Sequence, residues 1–163
     1  MKFFLRFLAF CAFPGTLVAQ APVNYNCSGV TDLGVVPACP TTAFTNVNAT
    51  ASNIGFGNNP SCFNGGTAQR DVWFAFTAGD TLVDVTINLT GINTGPNGTP
   101  IANPQIAVYR GDCTFNGLAE ISCISSPNGS TQVGLDILGL TPGVTYFLRI
   151  NDYSATASPN WGD

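Results

Sequence analysis

The chain has 163 residues, a formal net charge of −4 at neutral pH, no histidine, and 9% charged residues against 45% hydrophobic ones. Without histidine, the usual general base, the usual zinc ligand and the Ser or Cys hydrolase triad all go missing together. Lys2 and Arg6 sit in the first few residues, so the rest of the chain sets only Arg70, Arg110 and Arg149 against nine carboxylates. Such an acidic surface repels phosphate backbones and argues against nucleic acid as a partner.

Met1 to Arg6 is a short basic start, Phe7 to Phe13 is apolar, Pro14-Gly15 breaks the run, and small residues follow to Val18-Ala19. This is the pattern of a secretory signal peptide, a cleavable N-terminal signal helix over 1–19 with Gln20 as the new N-terminus. The apolar run is well short of the roughly 20 residues that cross a bilayer, so the expectation is an exported chain that does not span the membrane. The remainder, 20–163, is long enough for one module with a real core.

Abundant Asn, Thr, Ser, Gly and Pro favour strands joined by turns over helices. Val72-Trp73-Phe74-Ala75-Phe76 is apolar on both sides and reads as a central, doubly buried strand. Val83, Val85, Ile87 and Leu89 alternate with Asp84, Thr86 and Asn88, the period of a strand with one wet face. Thr90 to Pro104 is the most loop-like stretch in the body of the chain. Further runs follow at Ile106/Val108, Ile121/Cys123, Val133/Leu135/Ile137 and Tyr146/Leu148/Ile150, with Asn97-Gly98, Gly111-Asp112, Asn128-Gly129 and Pro142-Gly143 between them. The expected fold is all-β: a two-sheet antiparallel sandwich of about eight strands, jelly-roll-like. A fibronectin type III domain is the alternative suggested by the Pro-Gly and Tyr146 pattern. The cysteine content argues against it.

Cys11 belongs to the signal, which leaves Cys27, Cys39, Cys62, Cys113 and Cys123, an odd count in an exported chain. Cys113 and Cys123 flank a turn and read as a clasp across one hairpin. Cys39 and Cys62 bracket a Gly/Asn-rich stretch, and bridging them would remove unfolded-state entropy worth roughly 3 kcal/mol. Cys27 is then unpaired, either a reactive or intermolecular thiol or one whose partner lies beyond residue 163.

Few residues offer chemistry. Asp80 and Asp84 read as a solvated face rather than a carboxylate pair, and no catalytic residue is assigned. Asp112, Asn151 and Asp152 are oxygen ligands that would suit calcium, with turn capping as the competing reading; no cofactor is otherwise expected. Tyr146, just after the Pro-Gly reversal, is expected to bond back to the bend. Trp73 and Phe74 belong to the core. Trp161, among polar residues, is the candidate exposed aromatic for ligand contact.

Four stretches resemble one family. Asn26-Cys27-Ser28-Gly29-Val30, Arg70-Asp71-Val72-Trp73-Phe74-Ala75-Phe76-Thr77, Ile106 to Cys113 and Leu138 to Ile150 are similar to the opening and strand motifs of the pre-peptidase C-terminal-like (PPC-like) β-sandwich modules of Bacteroidetes secreted and surface proteins. The resemblance implies a final strand after Gly162-Asp163 that supplies a partner for Cys27. It also implies downstream domains of the same polypeptide and type IX secretion. Asp80-Thr81-Leu82 is similar to the O-glycosylation signal of that phylum, which would place a glycan on Thr81. The expected role is a non-catalytic module, secreted or at the cell surface, for adhesion or for contact with an extracellular glycan or protein. The alternatives are a structural spacer or assembly module without a small-molecule ligand, and an accessory domain of a secreted peptidase or glycosidase.

Overall fold

The computed structural model describes residues 20–37, 43–55, 59–63, 70–81, 84–92, 100–126 and 129–152. Seven strands lie in two sheets, and the described residues hold no helix beyond the single 3-10 turn Cys27–Gly29. The strands are β1 (Thr31–Val35), β2 (Val72–Thr77), β3 (Val85–Thr90), β4 (Pro104–Gly111), β5 (Leu118–Ser125), β6 (Gln132–Ile137) and β7 (Thr145–Asp152). The first sheet has the order β1-β2-β7-β4-β5, and β3 and β6 form a two-stranded ribbon. The fold is therefore all-β with two sheets, as the turn-rich composition suggests. The expected signal segment at 1–19 lies outside the described residues.

One pairing departs from the antiparallel expectation: β1 runs parallel to β2. A parallel neighbour needs a long crossover, and the stretch between Val35 and Val72 provides it. The other pairs are antiparallel. β2 matches β7 from Val72↔Ile150 to Thr77↔Thr145, and β7 matches β4 from Asp152↔Pro104 to Tyr146↔Arg110.

Side chains alternate across each strand, so this sheet has two faces. One presents Phe74, Phe76, Ile106, Val108, Leu148 and Ile150 to the ribbon's Val133, Leu135 and Ile137. The opposite face presents Trp73, Ala107 and Tyr109 to Cys27, Ile54 and Phe63, which come from the irregular segments before β2. Both faces are covered. That is why β2, β4 and β7 are buried on consecutive residues rather than alternate ones.

The disulfides differ from the expected pairing. Cys27 is bonded to Cys113 and Cys62 to Cys123, with Cα–Cα distances of 5.4 and 5.7 Å. Cys113 and Cys123 cannot clasp their own hairpin. Gly111 pairs with Leu118 at its closed end, while Cys123 stands opposite Ala107, five positions along β5. At about 3.4 Å per residue that is roughly 17 Å, far beyond the ~7 Å that a disulfide tolerates. Each cysteine of the hairpin instead reaches the irregular segments lying on the sheet. Cys27 is thus a bonded residue and not a free thiol. Cys39, the expected partner of Cys62, lies outside the described residues.

Candidate functional site

The covered face around Trp73 holds a buried polar network. Asp71 and Arg149 are both fully buried, with Arg149 Nε 3.0 Å from Asp71 Oδ2. Trp73 Nε1 donates to the same Oδ2 and to Ser52 Oγ, each at 2.8 Å. The Ser52 amide donates to Asp71 Oδ1 at 3.1 Å, and its hydroxyl donates to Oδ2. The Arg149 guanidinium lies 5.2 Å from the Trp73 ring centre, a cation–π arrangement. Tyr109 lies tilted against Trp73 at 5.6 Å, and burial pushes its phenol up to about 12 against the opposing influence of Arg149. Every charge here has an opposite charge or a donor, as burial at low dielectric demands. The network fixes the 52 region onto the sheet.

This network was not anticipated from sequence. The alternation Tyr146/Leu148/Ile150 assigns Arg149 to a wet face, but that face is covered by the segments carrying Ser52 and Ile54. The available signal was an arginine inside an otherwise aromatic and aliphatic run, with an aspartate directly before β2.

The candidate metal ligands do not come together. Asp112 lies in the turn after β4, whereas Asn151 and Asp152 end β7 beside Gln105 and Pro104 at the opposite end of β4. Neighbouring residues on a strand also point to opposite faces, which separates Asn151 from Asp152. Each has a local structural task. Asp112 Oδ1 accepts from the Thr114 amide at 2.9 Å and from its hydroxyl, and these bonds hold its carboxyl below the usual range. Asp152 accepts from the Asn103 amide at 2.7 Å and from Ala102, while burial raises its pKa. Asn151 Nδ2 donates to Gln105 Oε1 at 2.9 Å. Among the described residues no group of three or more His, Cys, Asp and Glu could hold a metal ion.

Thr81 is exposed in the turn after β2, and Trp161 lies outside the described residues. The Thr141 amide donates to Tyr146 Oη at 2.8 Å, the expected corner. It stabilises the Pro142-Gly143 reversal, where Gly143 takes φ +72° and the Val144 amide bonds Thr141 O at 3.2 Å.

Several apolar side chains stand exposed at one end of the molecule, where β1, β2, β4 and β6 finish and β7 begins. Val35 is 64% exposed, Phe115 68% and Leu138 75%, and Val144 is exposed too. The Phe115 turn is well anchored: Asn116 has φ +66°, and its amide donates to Ile54 O at 2.9 Å. Among the described residues no helix is long and apolar enough to cross a membrane. No family model and no curated protein matches the chain.

Proposed function

We propose that the chain is a non-catalytic extracellular module, a jelly-roll-like sandwich exported by its N-terminal signal, that contacts a glycan or protein with the loop end carrying Phe115. The observation behind this reading is the exposure of Val35, Phe115, Leu138 and Val144 at the end of the molecule where β1, β4 and β6 finish and β7 begins, with the Phe115 turn anchored by the Asn116 amide on Ile54 O. Contact residues are concentrated on loops held by a fixed scaffold. Two disulfides fit an oxidising, extracellular setting. The resemblance to PPC-like modules, with a glycan on Thr81, belongs to the same proposal.

The test is binding of the disulfide-intact protein to panels of extracellular polysaccharides and surface proteins. Phe115→Ser and Leu138→Ser are expected to weaken any contact at least about tenfold, the effect of removing an aromatic or aliphatic anchor. Unchanged binding in both variants would remove the loop end from the reading. Hydrolysis of a polysaccharide or peptide by the purified chain would overturn its non-catalytic part. A rigid spacer is the second reading, favoured by the two disulfides that tie the irregular segments to the β4–β5 hairpin.

A further inference from the structure

A second surface, distinct from the loop end, lies where the ribbon stops short of covering the first sheet. β6 packs over β4 and β5, and β3 has no strand partner on its other side among the described residues. Beside that open side runs a groove of about 350 Å³, lined by the partly buried Leu33, Val36, Ile87 and Leu89 and by Phe44 from the segment before β2, above the buried Phe74 and Phe76. Thr86 and Asn88 line it too, although their side chains lie on the exposed face of β3. The groove therefore follows the edge of the strand.

Edge strands are normally protected by lysine, proline, a bulge or an inward charge. β3 has none of these. Its sequence, Val-Thr-Ile-Asn-Leu-Thr, has high strand propensity, and its register with β6 runs unbroken from Val85↔Ile137 to Thr90↔Gln132. Its outer backbone groups have no strand partner among the described residues and border that apolar groove. The outer face of the ribbon is acidic: Asp136 accepts from Thr86 Oγ1 at 2.7 Å and Asp84 from the Gly139 amide at 3.0 Å. Neither has an ion-pair partner among the described residues.

We infer that β3 is an acceptor edge for an extended segment of a partner polypeptide in which apolar residues alternate with Lys or Arg. Backbone bonds to β3 would add a third strand to the ribbon, the apolar side chains would fill the groove, and the basic ones would lie over Asp84 and Asp136.

The probe is a short synthetic peptide alternating Val and Ile with Lys, added to the whole disulfide-intact chain, with amide exchange followed across Val85–Thr90. Protection there is expected to rise at least about tenfold, to fall with added salt, and to weaken by about threefold in Asp136→Asn. The same peptide methylated at every backbone nitrogen keeps its side chains but cannot pair, and is expected to give no protection. Equal protection by the methylated or a scrambled peptide would make the groove a simple apolar pocket and overturn the inference, as would no protection at all. Protection that rises with protein concentration and without peptide would assign the edge to a second copy, which also overturns it.

Discussion

The two faces of the five-stranded sheet are closed by different means. Toward the ribbon the contact is aliphatic and aromatic, Phe74 and Leu148 against Leu135 and Ile137, with the Phe44 ring edge-on to Phe74 at 4.7 Å. On the opposite side the cover has little regular structure, so shape complementarity between pleated surfaces is not available to it. Two disulfides and a buried ion pair with its hydrogen bonds fix that cover instead. Irregular backbone can lie on a sheet when covalent ties and satisfied polar groups replace strand pairing. The first kind of closure loses stability gradually with each deleted methylene. The second fails at single points.

The sharpest break is expected at Asp71 or Arg149. Replacing either by Ala leaves the other charge buried and unpaired, and should cost about 3–5 kcal/mol in urea unfolding. A loss below about 1 kcal/mol would show that water reaches the network. Next comes the double change Cys62→Ser with Cys123→Ser, which frees a loop of 61 residues in the unfolded chain and should cost about 2–4 kcal/mol. Exchange should then accelerate in the 52 region before it does in β6; the reverse order would contradict the division between faces. Leu135→Ala, on the ribbon, should cost about 2–3 kcal/mol and leave the disulfide-bonded face intact by Trp fluorescence.

Tyr109 offers a milder test by pH. Its folded pKa is near 12 against an ordinary 10, so folding favours the neutral phenol. That contribution is complete below pH 10 and is lost as pH rises through 12, amounting to about 2–3 kcal/mol once both states are ionised. Ultraviolet titration should show a late phenolate step that disappears in Tyr109→Phe. The smallest effect is expected at Thr86→Ala, which removes an exposed bond to Asp136 and should cost under about 1 kcal/mol.

What sequence made legible was the set of strands whose patterns are short-ranged. β2 announces itself by five consecutive apolar residues, β3 and β6 by alternation, and the Tyr146 corner by the Pro-Gly before it. β1 was missed because Thr-Asp-Leu-Gly-Val has no clear period and becomes a strand through its parallel pairing with β2. Cysteine pairing was misjudged for a related reason. Proximity along the chain favours Cys113 with Cys123, but an extended strand carries them apart, while the irregular segments packed on the sheet bring Cys27 and Cys62 to the hairpin from far upstream. The exposed Phe115 was not singled out, since only the folded turn reveals which aromatic remains outside.

The two bonds on the β4–β5 hairpin also govern how the molecule would respond to being pulled. Tension entering ahead of Cys27 does not travel through β1, β2, β3 and β4; it passes through sulfur to Cys113 at the hairpin turn, bypassing 86 positions of sequence. At about 3.4 Å per residue, that hides roughly 300 Å of possible extension. Under load the chain would therefore act as a stiff, short tether, and a reducing environment would convert it to a long, compliant one.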